Sequence, residues 1–179
     1  MYSPIHVNGE VFTLEHLAPI TRPIQLELRG GLRKQVDVEF RFSSHCYSRG
    51  LAHGEIAPAG LEVPDGSAHQ PRPRVFDRER YQLSRQLVGL IDQLIQSNGP
   101  VSKTRHENFY RIDHVETTRA GVERTVAYFV FFHARKVQAP NRPKSLLVWV
   151  ESAYPEQDGI PHPQGQGRRS LAAMLGEKW

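Results

Sequence analysis

The chain has 179 residues, of which 39% are hydrophobic and 23% charged, and its formal net charge is +4. This length and balance predict a globular protein with a core of its own and exclude an intrinsically disordered chain. The single cysteine, Cys46, excludes an internal disulfide, and because neither a leader-like start nor a run of 18 apolar residues occurs, we expect a cytoplasmic protein that does not enter a membrane.

Alternating hydrophobic residues predict β-hairpins in the first 43 residues. The dipeptide Asn8-Gly9 lies between two short apolar runs, and such a pair favours a tight turn because both residues accept positive φ. Residues 24–28 and 36–43 alternate apolar and polar side chains on either side of a glycine pair. A period of two is typical of a strand with one buried and one solvated face, so these two segments are predicted to pair antiparallel.

The middle of the chain predicts a long loop followed by one helix. Residues 50–74 are rich in Gly and Pro and show no apolar period, which is typical of a surface loop. Residues 77–97 place Leu and Ile on one stripe and polar residues on the other, as in an amphipathic helix. Asp77 is the expected N-cap, and Gly99-Pro100 is expected to end the helix.

Three further strands are predicted after this helix. Residues 109–116 alternate loosely, whereas residues 125–137 and 145–152 are apolar on both parities, as expected for central strands covered on both faces. Residues 1–154 are therefore predicted to form a single α+β domain. In it, N-terminal hairpins and a C-terminal three-stranded meander make a mostly antiparallel sheet packed on one long amphipathic helix. Residues 155–179 are predicted to form a flexible arm with a short helix.

The basic excess lies in the second half of the chain. Residues 1–100 carry 11 basic and 11 acidic residues, whereas residues 101–179 carry 12 and 8. Aromatic residues are interleaved with this basic part, and cations beside aromatic rings are typical of surfaces that contact phosphates and bases. The alternative interpretation is a hydrophobic sheet with a solvated basic rim.

Sequence motifs exclude several enzyme classes. No glycine-rich phosphate loop, dinucleotide fingerprint or nucleophile elbow occurs, which argues against ATP-driven and α/β-hydrolase chemistry. The nine histidines show no spacing that would place two of them on one helix face. We therefore predict neither a metal site nor a cofactor.

The densest group of reactive side chains lies at residues 43–49, where the second predicted strand ends. If the strand continues, His45, Tyr47 and Arg49 project from one side and form a candidate catalytic group. An imidazole can accept the proton of a 2′-hydroxyl, a guanidinium can stabilise a developing phosphorane, and a phenol can orient or donate. The alternative is a strand end whose polar groups bond to the adjoining loop. Cys46 is the weaker nucleophile candidate, because it would need a lowered pKa.

A second group of candidates follows the predicted helix. Arg105 and His106 are predicted to be catalytic, and Tyr110 and Arg111 to bind substrate. These residue types again bring together a base, cations and aromatic rings.

His133 and Arg135 share one parity of the long central strand, and both are predicted to bind substrate. Pairing of residue 137 with residue 144 would place His133 opposite Val148 and turn Glu151 to the other face. A slip of one residue would reverse this arrangement. The sequence leaves the register open, and with it any catalytic triad.

The predicted helix followed by a basic antiparallel sheet, over about residues 77–154, resembles small metal-independent ribonucleases of the toxin type. This resemblance is one of fold, transfers no site residue, and favours RNA over DNA as the partner. We therefore predict a small basic protein that acts on nucleic acid, in the first place as a metal-independent endoribonuclease. One alternative is a non-catalytic regulatory module that binds nucleic acid or a protein partner. Another is a structural accessory protein whose two-sided sheet is completed by self-association.

Overall fold

The structure is a computed structural model, which describes residues 4–7, 9–67, 70–104, 108–117, 123–138, 143–156 and 163–179. Strands dominate this part of the chain. Its elements are β1 (Ile5–Val7), β2 (Glu10–Phe12), β3 (Ile20–Glu27), β4 (Arg33–Phe42), β5 (Ser48–Gly50), β6 (Glu62–Val63), β7 (Gly66–Ser67), β8 (Gln70–Pro71), β9 (Arg74–Phe76), α1 (Arg78–Ser84), α2 (Leu87–Ser97), β10 (Pro100–Lys103), β11 (Asn108–Thr117), β12 (Glu123–Val137), β13 (Ser145–Pro155), β14 (Arg168–Ser170) and α3 (Leu171–Gly176).

The main feature is a seven-stranded mixed sheet that curls into a half-barrel. Its strand order is β14-β10-β11-β12-β13-β4-β3. The predicted hairpin is confirmed by the antiparallel pairing of β3 with β4, in which Ile24 lies opposite Val36. Strands β11, β12 and β13 form the predicted meander. The sheet is mixed because β13 pairs parallel with β4, and Val148 lies beside Phe40.

The predicted fold class is wrong, because the described part of the chain contains no long amphipathic helix that packs on the sheet. The predicted helix is broken into α1 and α2. At the break, the buried Ser84 donates its hydroxyl to the Tyr81 carbonyl at 2.7 Å, which is the acceptor that an uninterrupted helix would offer to the Arg85 N–H. Arg85 bonds to Gln82 instead, which tightens the turn. The resemblance to toxin-type ribonucleases depended on the long helix and loses its basis.

Both ends of the predicted helical segment are nevertheless where the sequence places them. Asp77 caps α1, since its carboxylate accepts from the Arg80 N–H at 3.0 Å. After α2, Asn98 adopts the left-handed conformation with a φ of 44°. Gly99 then bonds back to the Leu94 carbonyl at 3.0 Å, which is a common way for a helix to end.

The third helix lies between the two edges of the half-barrel. β14 and β3 are the edge strands, and α3 follows β14 directly and packs along β3. Leu171 and Leu175 of α3 are buried in the core. The backbone at Gly176 approaches the Glu27 carbonyl so closely that a side chain would not fit there. Residues 168–176 are thus part of the main sheet and its core.

Two apolar layers cover the two faces of the central strands, which explains why those strands are apolar on both parities. The main core includes Phe40, Phe132 and Val148. A smaller cluster lies on the opposite face, here called the outer face, and contains Phe109, Phe129 and Phe131 with Tyr154 against them. None of the helices among the described residues combines the length and the apolarity that a membrane crossing needs.

Candidate functional site

The turn after β4 carries the first group of predicted site residues. The strand ends at Phe42, and Ser44–Cys46 form a short 3-10 helix. Ser43 fixes this turn because its side-chain oxygen accepts from the His45 N–H at 3.0 Å. The expected continuation of the strand is therefore wrong, and the alternation that would have placed His45, Tyr47 and Arg49 on one side does not occur.

His45 faces a carboxylate from the long loop. Its Nε2 atom lies 3.1 Å from Oδ2 of Asp65, and the Ser44 hydroxyl donates to Oδ1 of the same carboxylate at 3.0 Å. Burial acts to raise the pKa of Asp65, but the hydrogen bonds from His45 and Ser44 outweigh it and leave the pKa below its ordinary value. Asp65 therefore stays ionised and orients the imidazole.

The other residues of this first group have different surroundings. Tyr47 is buried in the main core. Arg49 donates from both terminal nitrogens to Glu55, at 2.8 and 2.6 Å, and this pairing lowers the pKa of Glu55 to about 2. Burial raises the pKa of the Cys46 thiol to about 12, so Cys46 carries its proton at neutral pH.

The second group is divided between regions. Arg105 and His106 lie outside the described residues. Tyr110 is partly buried against the main core. Its neighbour Arg111 lies opposite Phe129 and therefore belongs to the outer face, where it is exposed.

His133 and Arg135 also lie on the outer face, and the register between β12 and β13 determines which side chains of β13 lie beside them. Val137 pairs with Ser145 rather than with residue 144, so His133 lies opposite Trp149. Phe131 and Phe132 pair with residues 152 and 150, which leaves Glu151 as the extra residue of a β-bulge. The bulge aims the Glu151 side chain at His133, and Oε1 lies 3.3 Å from Nδ1.

Three strands contribute to one row of side chains on the outer face. Arg41 of β4 pairs with Trp149 of β13, and Trp149 pairs with His133 of β12. Trp149 and His133 are partly exposed, and Arg41 is exposed. Adjacent positions in a sheet bring Cβ atoms within about 5 Å, so Trp149 lies between Arg41, whose Nε donates to Glu39 at 2.8 Å, and His133. We call this set the Arg41–Trp149–His133 row.

The two histidine–carboxylate pairs are connected through one serine. The Ser43 hydroxyl donates to the backbone carbonyl of Glu151, while its oxygen accepts from the His45 N–H. A pocket of about 740 Å³ adjoins this connection, and its lining includes Ser43, Asp65 and Trp149. Within the described ranges, no three residues of the His, Cys, Asp and Glu types lie close enough together to hold a metal ion.

Sequence reasoning missed three residues of this region, namely Arg41, Asp65 and Trp149, and left the position of Glu151 open. The alternation in β4 could have placed Arg41 on the face opposite the core, whereas β13 is apolar on both parities and gives no such signal for Trp149. Asp65 carries no such signal, because it comes from a loop without periodicity. Glu151 depends on a bulge that the residue pattern does not indicate.

The fold and the site together define a mixed half-barrel protein with a cation–indole–imidazole row beside two histidine–carboxylate pairs. The family model described as the YjaZ family matches residues 4–179. The chain therefore belongs to the YjaZ family. No curated protein and no solved structure matches the chain significantly.

Proposed function

We propose that the protein binds single-stranded RNA on the outer face of the half-barrel. The observation that carries this proposal is the Arg41–Trp149–His133 row. A partly exposed indole offers a stacking surface to any base, and the neighbouring Arg41 guanidinium attracts a phosphate beside that base. Arg135, one position further along the outer face and exposed, extends the positive charge in the direction of the strand.

Two neighbouring features support RNA as the ligand. The pocket beside Trp149 has room for a base that is unstacked from its neighbours, as happens in sequence-tolerant binding of single strands. The Glu151 carboxylate lies beside the row and can accept a hydrogen bond from a 2′-hydroxyl, a group that DNA lacks.

Tryptophan fluorescence provides a direct test. The chain has two tryptophans, so a Trp179→Phe background leaves Trp149 as the reporter. Titration with an RNA oligonucleotide at low salt should quench this emission, and affinity should fall linearly with salt on a log–log plot. In the natural background, Trp149→Ala should weaken binding by about 5- to 150-fold, since stacking on one base contributes about 1–3 kcal/mol.

Matched variants sharpen this test. Trp149→Phe retains a stacking surface and should lose much less affinity than Trp149→Ala. Trp179→Phe, which changes the other tryptophan, should bind as tightly as the natural chain. If tens of micromolar RNA neither bind nor quench at low salt, RNA binding is refuted.

A second candidate function is metal-independent endoribonuclease activity, and the two linked histidine–carboxylate pairs favour it. In such a reaction the 2′-oxygen attacks phosphorus and the bond to the 5′-oxygen breaks. One imidazole takes the 2′-hydroxyl proton, and a protonated imidazole gives a proton to the leaving 5′-oxygen. Asp65 and Glu151 would hold the two rings in place.

Cleavage assays separate this candidate from simple binding. The enzyme should cut labelled RNA in EDTA, leave a 2′,3′-cyclic phosphate, and spare a substrate with a 2′-deoxy sugar at the scissile position. His45→Gln and His133→Gln should each reduce the rate by about a hundredfold or more. If the natural chain binds RNA but cuts none of these substrates, the binding function stands alone.

A further inference from the structure

Two arginines converge on a single backbone oxygen near His45. Arg74, on β9, donates from one terminal nitrogen to the Ser48 carbonyl and from Nε to the Ser48 hydroxyl, both at 2.8 Å. Arg80, on α1, donates to the same carbonyl at 3.2 Å. Because both guanidiniums bond to one oxygen, they lie within a few ångströms of each other.

This pair carries charge that the described part of the chain does not neutralise by direct contact. No ion pair joins either guanidinium to a carboxylate among the described residues. Burial lowers the pKa of Arg74 most strongly, the charge of the Asp65 carboxylate acts in the opposite direction, and the charge of Arg80 lowers the pKa further. Two like charges held together in a partly desolvated place are unfavourable unless an anion joins them.

The surroundings of the pair suit an anion from a nucleic-acid strand. Arg80 also approaches the His45 carbonyl at 3.4 Å, which places it beside the His45–Asp65 pair. On its other side, the Arg80 guanidinium lies 5.3 Å from the ring centre of Tyr154. Tyr154 packs with the aromatic cluster of the outer face. The arginine pair therefore lies where the outer face meets the His45 turn, and both arginines are partly exposed.

We infer that Arg74 and Arg80 form a binding site for a phosphate group beside His45. Guanidinium groups match the geometry of phosphate oxygens and bind them through charge-assisted hydrogen bonds. As a site for a strand phosphate it rests on the proposed RNA function. As a site for free phosphate it stands on the arginine geometry alone.

The test uses the full chain and two kinds of probe. The first is inorganic phosphate, titrated calorimetrically at an ionic strength held constant with chloride. The second is a pair of short RNA oligonucleotides, with and without a 3′-terminal phosphate. The natural chain should bind inorganic phosphate, and it should bind the phosphorylated oligonucleotide more tightly than the other.

Variants at Arg80 distinguish binding from a structural role. Arg80→Gln should weaken phosphate binding by about tenfold or more, and Arg80→Lys should restore only part of it because the planar fork is lost. Arg85→Gln removes the same charge from an exposed neighbouring position and should leave binding unchanged. Circular dichroism and unfolding curves establish that each variant is folded before its binding is compared.

Each outcome has a defined meaning. Failure of the natural chain to bind either phosphate probe overturns the inference, as does equal binding by folded Arg80→Gln. If RNA quenches Trp149 but the terminal phosphate adds nothing and inorganic phosphate does not bind, the RNA function stands and the arginine site fails. If inorganic phosphate binds through Arg80 but RNA does not quench Trp149, the site takes free phosphate and the RNA function fails.

Discussion

The buried hydroxyl of Tyr128 leads to a testable prediction about the free energy of unfolding. Tyr128 is 2% exposed, and its hydroxyl has no hydrogen-bond partner among the described residues. Burial raises the pKa of this phenol above its ordinary value, so the group is neutral. A buried hydroxyl that gives up its bonds to water without replacing them destabilises the folded state. Tyr128→Phe removes only that oxygen, and we expect it to stabilise the protein.

The expected size follows from comparing two buried tyrosines. An unpaired buried polar group costs about 1–3 kcal/mol, so Tyr128→Phe should raise the free energy of unfolding by about 1 kcal/mol or more. Tyr81 is similarly buried, at 7% exposure, but its hydroxyl donates to the Thr13 carbonyl at 3.1 Å. Tyr81→Phe should therefore lower the free energy of unfolding by about 1 kcal/mol.

Urea unfolding curves measure both variants against the natural chain. The slopes should stay the same while the midpoints move in opposite directions. In thermal scans, 1 kcal/mol corresponds to about 2–4 °C for a chain of this size. If Tyr128→Phe loses as much stability as Tyr81→Phe, the Tyr128 hydroxyl has a partner in solution and the reasoning is refuted.

Two further predictions concern the closing helix and the His45 turn. Leu175→Ala should lower the free energy of unfolding by about 2–5 kcal/mol, because Leu175 is fully buried. Leu32→Ala, at an exposed position, should change it little. Equal, small effects of the two substitutions would show that α3 does not close the core. The pKa of Asp65 lies below its ordinary value of 3.8, so its stabilisation is present above that pH and is lost as the pH falls through the lowered pKa. Asp65→Asn should therefore flatten the loss of stability in acid, and an unchanged acid limb in pH-dependent unfolding would contradict the pairing.

Local patterns were sufficient to predict the elements whose hydrogen bonds are made between neighbours in sequence. The alternation that ends at Phe42 predicts the β3–β4 hairpin, and Asp77 predicts the start of α1. The break at Ser84 was missed because the apolar stripe continues through it. Hydrophobic periodicity does not show that a serine hydroxyl donates to a backbone carbonyl. A serine in the middle of a predicted helix nevertheless indicates that the helix can be interrupted there.

The candidate site depended on long-range geometry that residue patterns do not contain. Residue parity predicted that His133 and Arg135 share a face, and this is confirmed. The contact of Glu151 with His133 depends on two features: the register of β12 and β13, which differs by one residue from the pairing of residue 137 with residue 144, and the β-bulge at Glu151. The partner of His45, Asp65, comes from a loop, where neither alternation nor helical spacing constrains what a side chain meets.

The parallel pairing of β13 with β4 has a consequence for how the chain is made. The two strands are about a hundred residues apart in sequence, yet they lie side by side in the sheet, with only β3 beyond β4. Until residues 145–155 have left the ribosome, the β3–β4 hairpin exposes an unpaired strand edge, which is a hazard for aggregation. We therefore expect the sheet to form only after residues 145–155 have been synthesised. Because the contact between β4 and β13 closes a long loop, folding should also be slow compared with a protein of the same size built from local contacts.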